Sequence, residues 1–346
     1  MTTPAPLTPS PLPMSASPTT ASPGLPTDST GPGLAFHRLV FARKRSGWWT
    51  PLAVAGLGIV LYAVMLAVLM AFTIVIALTD PVFLDRMMTV ARNPAFDLSD
   101  PVMLVVLLGT IVLMWPAYLL ASLIVNGKRV GLISSAAGRL RWGWMLRCGL
   151  VAVALSVVLT GLSLLLPADG AEATASGPNP LWAVSLVLII LLVPLQSAAE
   201  EYIFRGFLMQ AIGRWLRHPA FAILLPVPLF VMGHLYDLLG QIGVGLFAVA
   251  AGWLTWRTGG LEAAIALHVV NNLTGFLASL AAGSDPTASE TGPVSFLWSF
   301  LLVGGYVALV EGMLRRRPLP RTLVLTPPAP APAAPVWGAP VPPPAP

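Results

Sequence analysis

Charge is scarce in this chain. Only 10% of its 346 residues are Asp, Glu, Lys or Arg, against roughly 25% in a soluble globular domain, so a surface covered by water is excluded. Cysteine is scarcer still. Cys148 stands alone, which excludes an internal disulfide framework and a thiolate-built zinc or iron–sulfur site. Near the third apolar run, it reads as a buried or lipid-facing thiol. The 35 Pro and 31 Gly follow no G-X-Y period, so collagen is excluded. No His-Glu-x-x-His helix, Ser-His-Asp arrangement or Gly-rich nucleotide loop stands out, and residues 1–36 lack the apolar run of a signal peptide. What fills the chain instead is apolar: 56% hydrophobic residues and a mean hydropathy of +0.81.

This composition describes an all-α polytopic membrane helix bundle. A helix needs about 20 apolar residues to cross a bilayer core. On that basis, about eight spans are expected near 52–78, 102–125, 144–166, 181–199, 220–236, 242–256, 261–280 and 294–314. The fifth carries Pro226 and Pro228 and the sixth is short, so these two are the weakest. Lys and Arg stay on the cytoplasmic side of short loops. Seventeen of the 19 basic residues fall on alternate connections, and only Arg86 and Arg92 fall on the others. The opposite connections carry Asp80, Asp85, Asp97, Asp100, Asp169, Glu172, Asp237, Asp285 and Glu290. The expected topology is therefore a multi-pass protein of the bacterial cell membrane with both termini cytoplasmic. The basic pI of 9.9 then reflects topology, and no nucleic-acid partner is implied. Residues 1–36 and 318–346, rich in Pro, Ala, Ser and Thr, are expected to be disordered or polyproline-like tails. The membrane domain is 37–317, with a core at about 181–280. Partners of the tails are unknown. Ala248-x-x-x-Gly252 reads as ordinary close helix packing.

Ionisable groups at membrane depth cost about 2.5–3.5 kcal/mol each on insertion scales, which marks them as function candidates. Glu200-Glu201-Tyr202-Ile203-Phe204-Arg205 closes one apolar run. Glu201 and Arg205 share a helix face at i,i+4 and suit an ion pair, which frees Glu200 to point into a cavity as a general base. Phe230-Val231-Met232-Gly233-His234 places an imidazole in the fifth span. In His268-Val269-Val270-Asn271-Asn272, His268 and Asn272 again share a face. Asn can donate to a developing oxyanion, and His can bind a metal or hold a water. Each cluster alone also fits interhelical hydrogen bonding or an interfacial patch. Together, Glu200, His234 and His268 suit a divalent metal, most plausibly zinc, or a water polarised directly by Glu. One tension remains: these span ends put Glu200 near the inner edge and His234 near the outer one.

Glu200-Glu201-x-x-x-Arg205, Phe230-x-x-x-His234 and His268-x-x-x-Asn272 resemble the three motifs of the CPBP intramembrane proteases. That family includes type II CAAX prenyl endoproteases and bacterial relatives linked to bacteriocin handling. Arg257-Thr258-Gly259-Gly260-Leu261 is also similar, and the likeness runs from about Gln196 to Gly275. It implies a core of about eight helices opening toward the cytoplasm and lipid, with a membrane-associated peptide or protein as substrate. It further implies that Glu200 activates the water, Glu201 and Arg205 support the site, His234 and His268 hold metal or water, and Asn272 stabilises the oxyanion. Zinc and a metal-free, Glu-activated water both stay open. Glu262 stands where many relatives carry an aromatic residue, implying different access beside the seventh span. The Pro-rich tails lie outside the family pattern, so the substrate need not be a prenylated CAAX protein. Two other functions fit buried Glu and His: a non-catalytic scaffold or bacteriocin-immunity protein of the same fold, and an ion-coupled transporter. The paired repeats that mark many transporters are not evident.

Overall fold

The structure, a computed structural model, describes residues 26–29, 31–92, 100–165, 180–283 and 291–325. Among them, seven helices are long and apolar enough to cross a membrane: Thr50–Thr79, Pro101–Asn126, Trp142–Ser163, Trp182–Trp215, Leu238–Thr258, Glu262–Ala282 and Pro293–Arg316. In chain order the elements are α1 (Thr50–Thr79), α2 (Pro81–Arg92), α3 (Pro101–Val112), α4 (Met114–Asn126), α5 (Trp142–Ser163) and α6 (Trp182–Glu201). Then come a π-helical segment (Tyr202–Leu208), α7 (Met209–Trp215), α8 (Pro219–Leu224), α9 (Val227–Met232), α10 (Leu238–Thr258), α11 (Glu262–Ala282) and α12 (Pro293–Arg316). Strands β1 (Leu34–Ala35) and β2 (Thr322–Leu323) flank the bundle.

The fifth span departs from expectation. Residues 220–236 form two helices of six residues each, α8 and α9, followed by non-helical residues 233–237. Pro226 and Pro228 lack the N–H groups that a continuous helix would use, and their rings crowd the preceding turn. This segment nevertheless has to cross the bundle. The end of α7 lies beside the chain's first turns, where Arg38 donates to the Gly213 carbonyl at 3.0 Å and His37 Nε2 meets the Arg217 carbonyl at 3.0 Å. The end of α10 lies at that same basic end, where Arg141 donates to the carbonyls of Thr258 and Pro320 at 3.1 and 3.2 Å. Between them, Asp237 starts α10 at the opposite end and accepts from Gly240 N at 2.8 Å and Thr291 N at 3.2 Å. The helical and turn residues 219–233 and the four non-helical residues that follow are long enough to reach roughly 30 Å, enough for the passage.

Eight passages return the chain to the end where it started. β1 pairs antiparallel with β2, Leu34 opposite Leu323 and Ala35 opposite Thr322. The tail boundaries set from composition therefore move. Leu34 and Phe36 are fully buried, Asp28 forms an ion pair with Arg38 at 2.9 Å, and Leu325 N donates to Ser29 O at 2.9 Å. The expectation of disorder for residues 1–25, 30 and 326–346 lies outside the described residues.

The two ends are closed by different chemistry. At the acidic end, Asp80, Asp100 and Asp237 accept backbone N–H groups at the starts of α2, α3 and α10, satisfying donors that a helix cannot. Asp97, Asp169, Glu172, Asp285 and Glu290, expected at this end, lie outside the described residues. At the basic end, arginines meet carbonyls. The turn Arg257–Leu261 sits on the segment before α5, with Ala136 N donating to Gly259 O and Leu261 N to Ser134 O. Gly259 takes φ +70°, and a Cβ there would lie 2.5 Å from the Arg321 carbonyl; the position needs glycine on both counts. Glu262 is fully buried and accepts from Arg141 Nε, Nη2 and backbone N at 2.8, 2.7 and 2.9 Å. It is an internal anchor for the start of α11.

Helix α11 is the centre of the bundle, packed on α5, α6 and α10. Ala263, Ala264 and Ala266 let its neighbours approach. Ala248 and Ala251 do the same on α10, and Gly252 faces Ile223 of α8. Cys148 is fully buried in α5.

Candidate active site

The apolar run that carries Glu200 does not end there. Helix α6 continues through the π-helical segment and α7 as one 34-residue apolar helix to Trp215, so Glu200 lies about 27 Å from Trp182, in the interior of the helix rather than at its end. This corrects the placement of Arg205, which is in the helix interior rather than in a loop. Wide π turns are frequent at functional sites, and this one begins directly after Glu201.

Glu200, Glu201, Arg205 and His268 are each under 10% exposed. Arg205 donates to Glu201 Oε1 at 2.9 Å, and His268 Nδ1 meets the same oxygen at 2.7 Å. A carboxylate held by a guanidinium accepts only, so Nδ1 carries the hydrogen of this contact. The ring's Nε2 lies 3.6 Å from Glu200 Oε2, a buried oxygen with no hydrogen-bond partner. The other Glu200 oxygen accepts from Gln196 Nε2 at 2.5 Å, and Gln196 Oε1 accepts from Asn272 Nδ2 at 3.1 Å. Asn271 donates to Asn272 Oδ1 at 3.2 Å. Five of the six residues expected from the sequence thus belong to a network of two hydrogen-bonded groups, Arg205–Glu201–His268 and Glu200–Gln196–Asn272, that meet where His268 faces Glu200.

His234 adjoins this network without a hydrogen bond to it. Its Nδ1 meets the Phe230 carbonyl at 2.8 Å, and its own carbonyl accepts from Gln241 at 2.5 Å. Its ring centroid is 4.7 Å from that of Phe230. Phe230 is the bridge: its ring lies 6.2 Å from His268 and 4.3 Å from the Arg205 guanidinium. Phe247 of α10 flanks His268 at 4.9 Å, and Arg205 also donates to the Ala248 carbonyl at 3.2 Å. Arg205 therefore joins α6, α9 and α10 while balancing Glu201.

The three-ligand metal set expected from Glu200, His234 and His268 does not form. Among the described residues, no three His, Cys, Asp or Glu side chains come together so as to hold a metal ion. Glu200 and His268 approach each other, but His234 does not complete the set.

Gln196 and the ring pair Phe230–Phe247 were not singled out from the sequence as site residues. Gln196 carried one usable signal, a polar side chain at i−4 from Glu200 within an apolar run.

Residues 180–274, which contain every residue above, match the family described as Type II CAAX prenyl endopeptidase Rce1-like. A curated relative, the uncharacterized protein YyaK of Bacillus subtilis (strain 168), is 35% identical over 100 residues, covering 27% of this chain and 33% of YyaK. The chain spans about a third of the length of that relative. No solved structure matches. The resemblance to CPBP proteins thus holds for the part of the chain that carries the site, and at the family level that resemblance is to a CAAX-type intramembrane protease.

Proposed function

We propose that the chain is an intramembrane endopeptidase in which Glu200 and His268 activate a water against a peptide bond delivered through the membrane. The supporting observation is the approach of His268 Nε2 to within 3.6 Å of Glu200 Oε2, a buried oxygen with no hydrogen-bond partner. With His268 as the Nδ1–H tautomer, a water donating one hydrogen to Nε2 and one to Glu200 Oε2 would turn its own lone pairs toward substrate. Glu200 takes the proton as the water oxygen bonds to the scissile carbonyl carbon, then returns it to the leaving amine as the C–N bond breaks. Asn272 uses one amide hydrogen on Gln196 and donates the other to the oxyanion. Glu201 and Arg205 are positioning residues that hold the His268 tautomer. His234, with Nδ1 on a carbonyl, offers Nε2 to the water or to the substrate amide.

The substrate is a membrane-associated peptide or protein, with a lipidated or CAAX-like end as one form. The basic end of the bundle faces the cytoplasm, as the distribution of Lys and Arg implies. The test is a terminus-resolved proteomic comparison of membranes carrying wild type or Glu200→Gln at equal abundance. New peptide termini seen only with wild type support proteolysis. Identical termini, with the variant still rescuing a deletion strain, replace it with the scaffold or immunity function. Elemental analysis of the purified chain decides the cofactor: one tightly held zinc per chain, lost in His234→Ala, would replace the metal-free water.

A further inference from the structure

Where the chain enters α1 and leaves α4, five cations share one basin. Arg43, Lys44, Arg45, Lys128 and Arg129, with Ala42 and Gly127, line a space of about 550 Å³ at the basic end. Among the described residues, none of the five forms an ion pair, whereas Arg38, Arg141 and Arg257 at the same end each have a carboxylate.

Two of the five build the walls. Arg43 is nearly buried and donates to the carbonyls of Ser122, Gly127 and Lys128 at 3.0, 2.7 and 3.2 Å. Arg45 donates to Ile124 and Val125 at 2.5 and 2.6 Å. Both satisfy carbonyls that α4 leaves open at its C-terminus. The other three carry the surplus. Lys44 and Lys128 are exposed and make no side-chain hydrogen bond among the described residues. Arg129 makes one, to Ala42 O at 3.3 Å. It is also the one non-glycine residue with positive φ among the described residues, a strained backbone of the kind that gathers at ligand sites.

The surroundings specify the ligand. Trp48 and Trp49, both exposed, stand at the start of α1 as interfacial tryptophans do at headgroup level. Below them, Leu52 on α1 and Leu120, Leu123 and Ile124 on α4 are exposed apolar side chains, and α1 packs against α4. A topological role needs only the number of positive charges on this side. It does not explain their convergence into a basin above an apolar seam.

We propose that this basin binds the phosphate-bearing headgroup of an anionic phospholipid whose chains lie along the seam of α1 and α4. Lys44, Lys128 and Arg129 donate to the phosphate, and the unbalanced charge selects net-negative over zwitterionic headgroups. The site is independent of the proteolytic reading, because it lies on other helices and uses none of its residues.

The test is native mass spectrometry of the full chain in detergent, titrated with phosphatidylglycerol, phosphatidylcholine of the same chain length, or inorganic phosphate. Phosphatidylglycerol should bind at least about tenfold more tightly than phosphatidylcholine, and Lys44→Ala/Lys128→Ala should weaken it by roughly fivefold per residue. A control, Arg316→Ala/Arg317→Ala, removes the same charge from the same end outside the basin and should leave binding within about twofold. Equal binding of the two lipids, equal loss in the control, or unchanged binding in the double variant would overturn the site. Competition by inorganic phosphate at the concentration of the lipid would overturn the lipid as its ligand. If the double variant does not fold, the single exposed change Lys128→Gln reads out the same comparison.

Discussion

Helices α1 and α11 are both transmembrane by length and composition, yet they serve opposite purposes. In the most apolar stretch of α1, 6% of residues are buried within the protein; in α11 the share is 44%. Helix α1 turns Ile59, Val60, Val64, Val68 and Phe72 outward. Helix α11 buries an unbroken run from Glu262 to His268. The most hydrophobic helix is the one that turns most of its side chains outward, and the least apolar of the seven is the one whose neighbours are protein and that carries buried polar groups. In a bilayer, a helix can carry Glu, His and Asn only where other helices satisfy them.

The contrast can be broken most sharply at the ion pair that α11 leans on. Glu201→Ala strands the buried Arg205 and takes the partner from His268 Nδ1. The expected loss is about 3–5 kcal/mol, read by denaturant unfolding in detergent; a variant within 1 kcal/mol of wild type, on the order of a surface change, would show that the network is not structural. A smaller effect is expected from shape alone. Ala264→Leu overfills a fully buried position on α11 and should cost about 1–3 kcal/mol, whereas Val64→Leu on the exposed face of α1 should change stability by less than about 0.5 kcal/mol. Equal costs would remove the distinction between the two helices.

The smallest expected effect lies outside the spans. Burial pushes the His37 imidazole below its ordinary 6.5, against the opposing pull of the Arg217 carbonyl. The unfolded chain therefore binds a proton more readily than the folded one, and stability should fall as pH drops below about 6.5. Thermal unfolding at pH 7.5 and 5.5 measures the difference, and His37→Gln should flatten it.

Hydropathy made the seven long apolar helices legible, because it is a property of a whole segment. What it missed is local. The fourth span was ended at Ala199, since Glu200, Glu201 and Arg205 look like an interface when their charges are counted singly. In the fold, Glu201 and Arg205 neutralise each other and the helix runs on to Trp215. The fifth span was drawn as one helix across Pro226 and Pro228, where two short ones form. Within the site, pairs at i,i+4 were readable because a helix dictates them, as with Glu201 and Arg205. The links between helices were not. Nothing in the spacing says that Gln196 connects Glu200 to Asn272, or that Glu201 and a carbonyl occupy the Nδ1 atoms of His268 and His234.

The pairing of β1 with β2 has a consequence for how the protein is made. Leu34 and Ala35 leave the ribosome early, but their partners Leu323 and Thr322 come after the last span. At ordinary rates of synthesis, the early strand waits on the order of 15–60 s for its partner. This contact between the two strands therefore forms only after α12 has been made. A chain halted before residue 322 would expose an unpaired strand edge beside an unfinished membrane domain, a ready mark by which quality control could tell it from the finished protein.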